Sequence, residues 1–283
     1  MKVAFLLILC AFLTVLAAER AVSPGYNESA EYRGTYTIVN NYAVGLSSAY
    51  GLAIMTENPN SIWISQYSPL LNNEFDMSSG TATGWTWAID GGVDADDMGY
   101  CEYGGSANQF FFGDWVSNEI QVYDVSTTGA DPFYTKDIVG PAAWTHICGV
   151  DAGHDNLYVS DFFTDEIAWG SYTGTETTVS WTTASFATVS GLAVWDNYLF
   201  ACTQVTGADN IFIFELNPDG SPDMTPIWSC EFTEYASGPN GGLDYDGTNL
   251  WVYPQNDNLY ELDIDWVPIA LQRDTWGSIK TVF

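Results

Sequence analysis

QFFFGDWVSNEIQVYDV (residues 109–125) and NLYVSDFFTDEIAWGSY (residues 156–172) are two readings of one pattern. Each is an apolar, aromatic-rich run closed by an acid, then a short polar turn, then a run alternating apolar and polar residues. Alternation at a period of two is the mark of a half-buried strand, and β-branched and aromatic residues fit it. A Gly-apolar-small run precedes each segment: GYCEY from Gly99 and GVDA from Gly149. The same order recurs three more times. GLAI (Gly51) leads to SIWIS (Ser61) and NEFDM (Asn73), GLAV (Gly191) to YLFAC (Tyr198) and NIFIFEL (Asn210), and GLDY (Gly242) to NLWVY (Asn249) and NLYELDI (Asn258). A fourth strand follows in four of the units: GWTWAI from Gly84, PFYTKDIV from Pro132, TTVSWTT from Thr177 and PIWSCEF from Pro226.

Four strands repeated every 42 to 51 residues predict an all-β chain folded as a single β-propeller of five four-stranded blades. One blade has two apolar faces and cannot cover both alone; ringed neighbours cover them and leave only short edges. The fifth unit lacks its fourth strand. RGTYTIVNN (residues 33–41) precedes the first unit and supplies it, closing the ring through the chain ends. A sixth, degenerate blade is the alternative.

These segments, with GGLDYDGTNLWV (residues 241–252), resemble repeats of the NHL, SMP-30 and YVTN-like propeller group. The resemblance spans about residues 33–265. It implies the architecture and leaves function open, since that superfold carries hydrolases, lyases and binding modules.

Met1-Lys2 followed by VAFLLILCAFLTVLAA (residues 3–18) has the layout of a secretory signal peptide, cut after Ala18. The run is shorter than the roughly 20 apolar residues a span needs, and no other membrane candidate appears. Residues 19–32 read as a linker, 33–272 as the propeller and 273–283 as a C-terminal tail. That tail, DTWGSIKTVF from Asp274, either packs on the last blade or attaches the exported protein to a surface, as similar tails on exported bacterial proteins suggest. The formal charge is -30, from 36 acids against 6 bases. Such a chain repels polyanions, so nucleic acid and anionic membrane surfaces are poor partners, and none is expected. After signal cleavage Cys101, Cys148, Cys202 and Cys230 remain, as disulfides or as buried thiols.

Equivalent positions in a ring lie at one end of the blades. Reading across the ends of the second strands gives Gln66, Asp114, Asp161, Thr203 and Pro254, each followed by Tyr67, Trp115, Phe162, Gln204 and Gln255. The expected ligand-binding rim is Gln66, Tyr67, Asp114, Trp115, Asp161, Phe162, Gln204 and Gln255, suited to a carbohydrate, peptide or protein ligand. Against this, Asp114 and Asp161 also read as turn caps that accept nearby backbone N–H groups. Two residues after each inner Gly stand Ala53, Cys101, Asp151, Ala193 and Asp244. Asp151 and Asp244 are candidates to hold a cation near the axis. Asp90, Asp94, Asp96 and Asp97 form the densest acidic segment, read either as a calcium loop or as a solvated inter-blade loop. With only His146 and His154 and no GxSxG turn, a nucleophilic triad has no support. The sequence therefore points to a secreted, monomeric, non-enzymatic binding propeller. A calcium-dependent hydrolase or lyase and a tail-anchored structural protein are the alternatives.

Overall fold

The computed structural model describes residues 33–55, 61–89, 95–101, 108–125 and 132–267. The signal peptide, the linker, the C-terminal tail, Asp90 and Asp94 lie outside these residues. The strands form five four-stranded antiparallel sheets. Blade 1 is β2–β5 (Ala49–Met55, Ser61–Tyr67, Leu70–Asp76, Ala82–Ala88). Blade 2 is β6–β9 (Ala95–Cys101, Gln109–Asp114, Glu119–Asp124, Phe133–Val139). Blade 3 is β10–β13 (Val150–Gly153, Asn156–Asp161, Glu166–Ser171, Thr182–Ser185), and blade 4 is β14–β17 (Val189–Trp195, Tyr198–Thr203, Ile211–Glu215, Trp228–Cys230). Blade 5 is β18–β20 (Gly241–Tyr245, Leu250–Pro254, Leu259–Ile264) plus β1 (Tyr36–Tyr42), which pairs antiparallel with β20 as the N-terminal segment predicts.

Among the described residues the core is divided rather than central. Five apolar layers lie between successive blades, because each sheet has two faces to bury. Trp63, Trp87 and Phe110, for example, fill the layer between blades 1 and 2, and Phe200, Tyr245 and Trp266 that between blades 4 and 5. Burial falls from axis to rim: the inner strands β2 and β6 are buried throughout, whereas the outer strands β5 and β9 are mostly exposed. The outer strand of blade 3 starts later than TTVSWTT predicts. Residues 178–181 lean on blade 2 instead, through a Val139–Thr178 bridge and the Trp181 Nε1–H bond to the Val139 carbonyl (2.9 Å). All four cysteines in the propeller are buried free thiols. Burial pushes the Cys202 thiol up to about 12, so it stays protonated.

The register corrects one alignment. The apolar residues facing the second strands are Leu52, Met98, Val150, Leu192 and Leu243, opposite Ile64, Phe112, Val159, Ala201 and Val252. The residue before each is Gly51, Asp97, Gly149, Gly191 and Gly242. Blade 2 thus carries Asp97, not Gly99, at the innermost glycine position. Gly99 aligns with Asp151 and Asp244, and Cys101 sits two places further on. Asp96 and Asp97 accordingly belong to β6 and are buried, so neither the calcium-loop nor the solvated-loop reading describes them.

Asp97 fills the axis that four glycines leave open. Strand β6 contacts all four other inner strands. Asp97 is fully buried, and its Oδ2 accepts Leu192 N–H (3.0 Å) from blade 4 and Val150 N–H (3.4 Å) from blade 3, while Oδ1 has no hydrogen-bond partner. Burial pushes its carboxyl well above the usual 3.8, outweighing the backbone donors. A carboxyl raised in the folded state contributes most stability below its unfolded value and loses it as pH rises towards the folded value. Asp97→Asn is therefore expected to raise the melting temperature at pH 7 and leave it nearly unchanged at pH 3.5. Asp76, Asp219, Asp265 and Glu176 are lowered, chiefly by hydroxyl or indole hydrogen bonds that outweigh desolvation, and they work in the opposite sense, as a background common to both proteins. An equal shift at both pH values would contradict the assignment.

Candidate functional site

Inner strands begin, and second strands end, at the same mouth of the ring. There a cavity of about 380 Å³ opens on the axis. Five of the eight predicted rim residues meet around it: Tyr67, Trp115, Phe162, Gln204 and Gln255, one from each blade. They converge because each stands at the end of a second strand, Tyr67 as its last residue and the other four just after it, and five-fold repetition puts those positions on one circle.

The other three stand behind this lining. Asp114 accepts Val116 N–H (3.0 Å) and Ser117 Oγ–H (2.5 Å). Asp161 accepts the N–H groups of Phe163 (2.6 Å) and Thr164 (3.0 Å). Both cap the turns that present Trp115 and Phe162. Gln66 donates to the Ser47 carbonyl (2.7 Å) and accepts from Asn73 (3.0 Å), holding the strand end from which Tyr67 projects.

Tyr50, Ala95 and Asp96, at the starts of inner strands, complete the wall. Sequence reading missed Tyr50 and Ala95 because it followed only the ends of the second strands. Asn240 was missed too, although its place just before Gly241-Gly242 marks the start of an inner strand. Its side chain is the hub of a polar chain. Tyr50 Oη–H donates to Asn240 Oδ1 (2.9 Å), Gln204 Nε2–H donates to the same oxygen, and Asn240 Nδ2–H reaches Gln255 Oε1 (3.5 Å). Gln255 Nε2–H then reaches Tyr67 Oη (3.4 Å).

The walls differ in character. Blades 4 and 5 contribute amides. Blades 2 and 3 contribute Trp115 and Phe162, whose rings meet edge to face at 5.6 Å, backed by Phe163 and His146 at 5.4 and 5.2 Å from Trp115. Among the described residues, Asp96 is the one ionisable carboxyl in the lining. Burial, then the Asp96 charge, raise the Tyr50 phenol well above 10, so Tyr50 stays a neutral donor. The Cys148 thiol is likewise raised by burial first and by Asp96, to which it hydrogen-bonds.

Asp151 and Asp244 lie on the inner strands and staple neighbouring blades together. Asp151 Oδ2 accepts Val194 N–H (2.6 Å) across to blade 4, and Oδ1 accepts Ala152 N–H (2.8 Å). Asp244 Oδ2 accepts Ile54 N–H (2.7 Å) across to blade 1, and Oδ1 accepts Tyr245 N–H (2.7 Å). Among the described residues, no group of three or more His, Cys, Asp or Glu side chains is placed to hold a metal ion. A second cavity, about 770 Å³, opens at the other mouth between inner-hairpin turns carrying His154, Asp155, Asp196 and Asp246. His154 Nε2 contacts the Asp196 carbonyl, and both residues have positive φ, so its place is that of a turn residue.

Fold and site together define a five-bladed β-propeller with an axial cavity at the mouth where the inner strands begin. The solved structures it is similar to include glutaminyl cyclase from Myxococcus xanthus, at 11% identity over 84% of this chain and 99% of that one, with a TM-score of 0.61. They also include a functionally unknown protein from Desulfotomaculum acetoxidans, at 13% identity over 76% of this chain and 72% of that one, with a TM-score of 0.51. At such identities the likeness reports the fold and not the chemistry. No protein-family model and no curated protein matches the chain.

Proposed function

We propose that this chain is an exported, non-enzymatic propeller that binds a small ligand, or the end of a larger one, in the axial cavity. The observation that carries this reading is the convergence of Tyr67, Trp115, Phe162, Gln204 and Gln255, one from each blade, on a single concave space. At about 380 Å³ the cavity falls in the range of small-ligand sites, with apolar walls and a few polar groups to set orientation. Titration calorimetry and tryptophan fluorescence against a panel of neutral saccharides, short peptides and small organic ions are expected to show saturable binding without turnover. That binding should be lost in Trp115→Ala with the melting temperature little changed. A panel that yields no ligand, or binding indifferent to both Trp115→Ala and Phe162→Ala, would remove the cavity from consideration. The calcium alternative rests on Asp151 and Asp244. With both carboxylates bonded to backbone N–H groups, added calcium is expected to leave the melting temperature where it is, and a rise lost in Asp151→Asn would favour the metal reading.

A further inference from the structure

Resting on that binding role, we propose that the axial cavity takes the terminal unit of a neutral oligosaccharide, its ring face on Trp115 and Phe162 and its hydroxyls on the amides of blades 4 and 5. The first observation is how the walls divide. A sugar ring has C–H bonds on its faces and hydroxyls round its edge. It therefore fits a flat apolar surface set beside groups that both give and take hydrogen bonds. Trp115 and Phe162 stand together on one side of the cavity. Gln204, Asn240, Gln255, Tyr67 and Tyr50 stand on the other, joined in one hydrogen-bonded chain.

The second observation is what that chain leaves unused. Among the described residues, the Tyr67 hydroxyl accepts from Gln255 but its own proton has no acceptor, and Gln204 Oε1 has no donor. Gln204, Asn240 and Gln255 each give one amide N–H to the chain and keep a second. These neutral donors and acceptors match sugar hydroxyls, which donate and accept at once. Asp96 is 6% exposed and already hydrogen-bonded to the Cys148 thiol, so the ligand's polar contacts fall to the amides and phenols. The third observation is extent. The aromatic surface runs on past the lining: the Phe163 ring is 48% exposed and lies 5.4 Å from both Trp115 and Phe162, and Val116 is 61% exposed. A second sugar unit would lie over Phe163, so the ligand is a chain end. The net charge of -30 turns anionic glycans away, which leaves a neutral one.

The test is titration calorimetry on the intact protein with cellotriose, maltotriose, mannotriose and triacetylchitotriose, each beside its monosaccharide, and with trigalacturonate as the anionic control. At least one neutral triose is expected to bind, on the order of tenfold tighter than its monosaccharide, and trigalacturonate not to bind. Trp115→Phe, which keeps a flat ring, should retain most of the affinity, whereas Trp115→Leu should lose about tenfold. Gln204→Met, which keeps the volume but not the hydrogen bonds, should cost about fivefold. Phe163→Ser should remove the advantage of the triose and leave the monosaccharide's affinity unchanged. Binding indifferent to both Trp115→Leu and Gln204→Met would overturn the inference, as would equal affinity for triose and monosaccharide or for trigalacturonate. If none of these trioses binds but a short peptide or small organic ion does, through Trp115, the inference falls and the cavity keeps its binding role. If nothing binds, both readings fall together.

Discussion

Deletion of residues 33–42 is expected to abolish cooperative folding, not merely to shorten an outer strand. Strand β1 is the outer strand of blade 5, and without it β20 becomes an open edge with unpaired backbone groups. The strand also ties three blades together. Tyr36 packs at 5.8 Å from Phe232 of blade 4, Tyr42 stacks on Trp251 of blade 5 at 6.1 Å, and a Cβ at Gly80 of blade 1 would lie 2.2 Å from the Tyr42 ring. Gly34 N–H bonds to the Ser229 carbonyl (2.7 Å), and Arg33 pairs with Asp209. Ring closure links the first and last blades, so losing it releases the long-range constraint that every inter-blade layer shares. Circular dichroism melting and size-exclusion chromatography check this. A truncated protein that melts in one transition, as a monomer, close to the full chain would refute the closing role.

Gly242→Ala is expected to destabilise the propeller by about 3 kcal/mol, the upper end of what overpacking costs. A Cβ at Gly242 would lie 2.2 Å from the Leu52 backbone nitrogen, 2.7 Å from Leu52 Cβ and 2.9 Å from Asp97 Oδ1. Backbone cannot yield as a flexible side chain can, so β18 and β2 must separate. That movement strains the Asp244–Ile54 bond, which joins the same two strands. Because Asp97 occupies the axis from the other side, the double variant Gly242→Ala/Asp97→Gly should recover part of the loss. Denaturant melts of the wild type and the three variants measure the coupling. A single variant as stable as wild type would mean that the inner strands are not packed this tightly.

Much of the architecture was legible in the sequence because its signals are local and repeated. Alternation within ten residues marks a strand, five repeats set the blade count, and the orphan segment before the first unit names the strand that closes the ring. The rim was legible for the same reason: Tyr67, Trp115, Phe162, Gln204 and Gln255 occupy one position of the repeat, and rotation about the axis brings equal positions together. The turn-capping alternative for Asp114 and Asp161 matches their hydrogen bonds, since such caps are made within three residues.

Tertiary structure decided what depends on which blade meets which. Gly99 looked like the inner glycine of blade 2 because it opens an apolar run. Only the pairing of Met98 with Phe112 shows that Asp97 holds that place, pointing into a space four glycines vacate. Asp151 and Asp244 looked like cation ligands because carboxylates near an axis are chemically suited to it. Their acceptors are instead met by Val194 N–H, 43 residues away, and Ile54 N–H, 190 residues away, partners that exist only once the ring has closed. Asp96 was read as one acid of a loop, either a calcium loop or a solvated one, and its position in the cavity wall follows from the same two-residue shift. Local chemistry specifies the strands and their order. The distance between a side chain and another blade's backbone is set by the packing of the whole ring, and no stretch of sequence carries it.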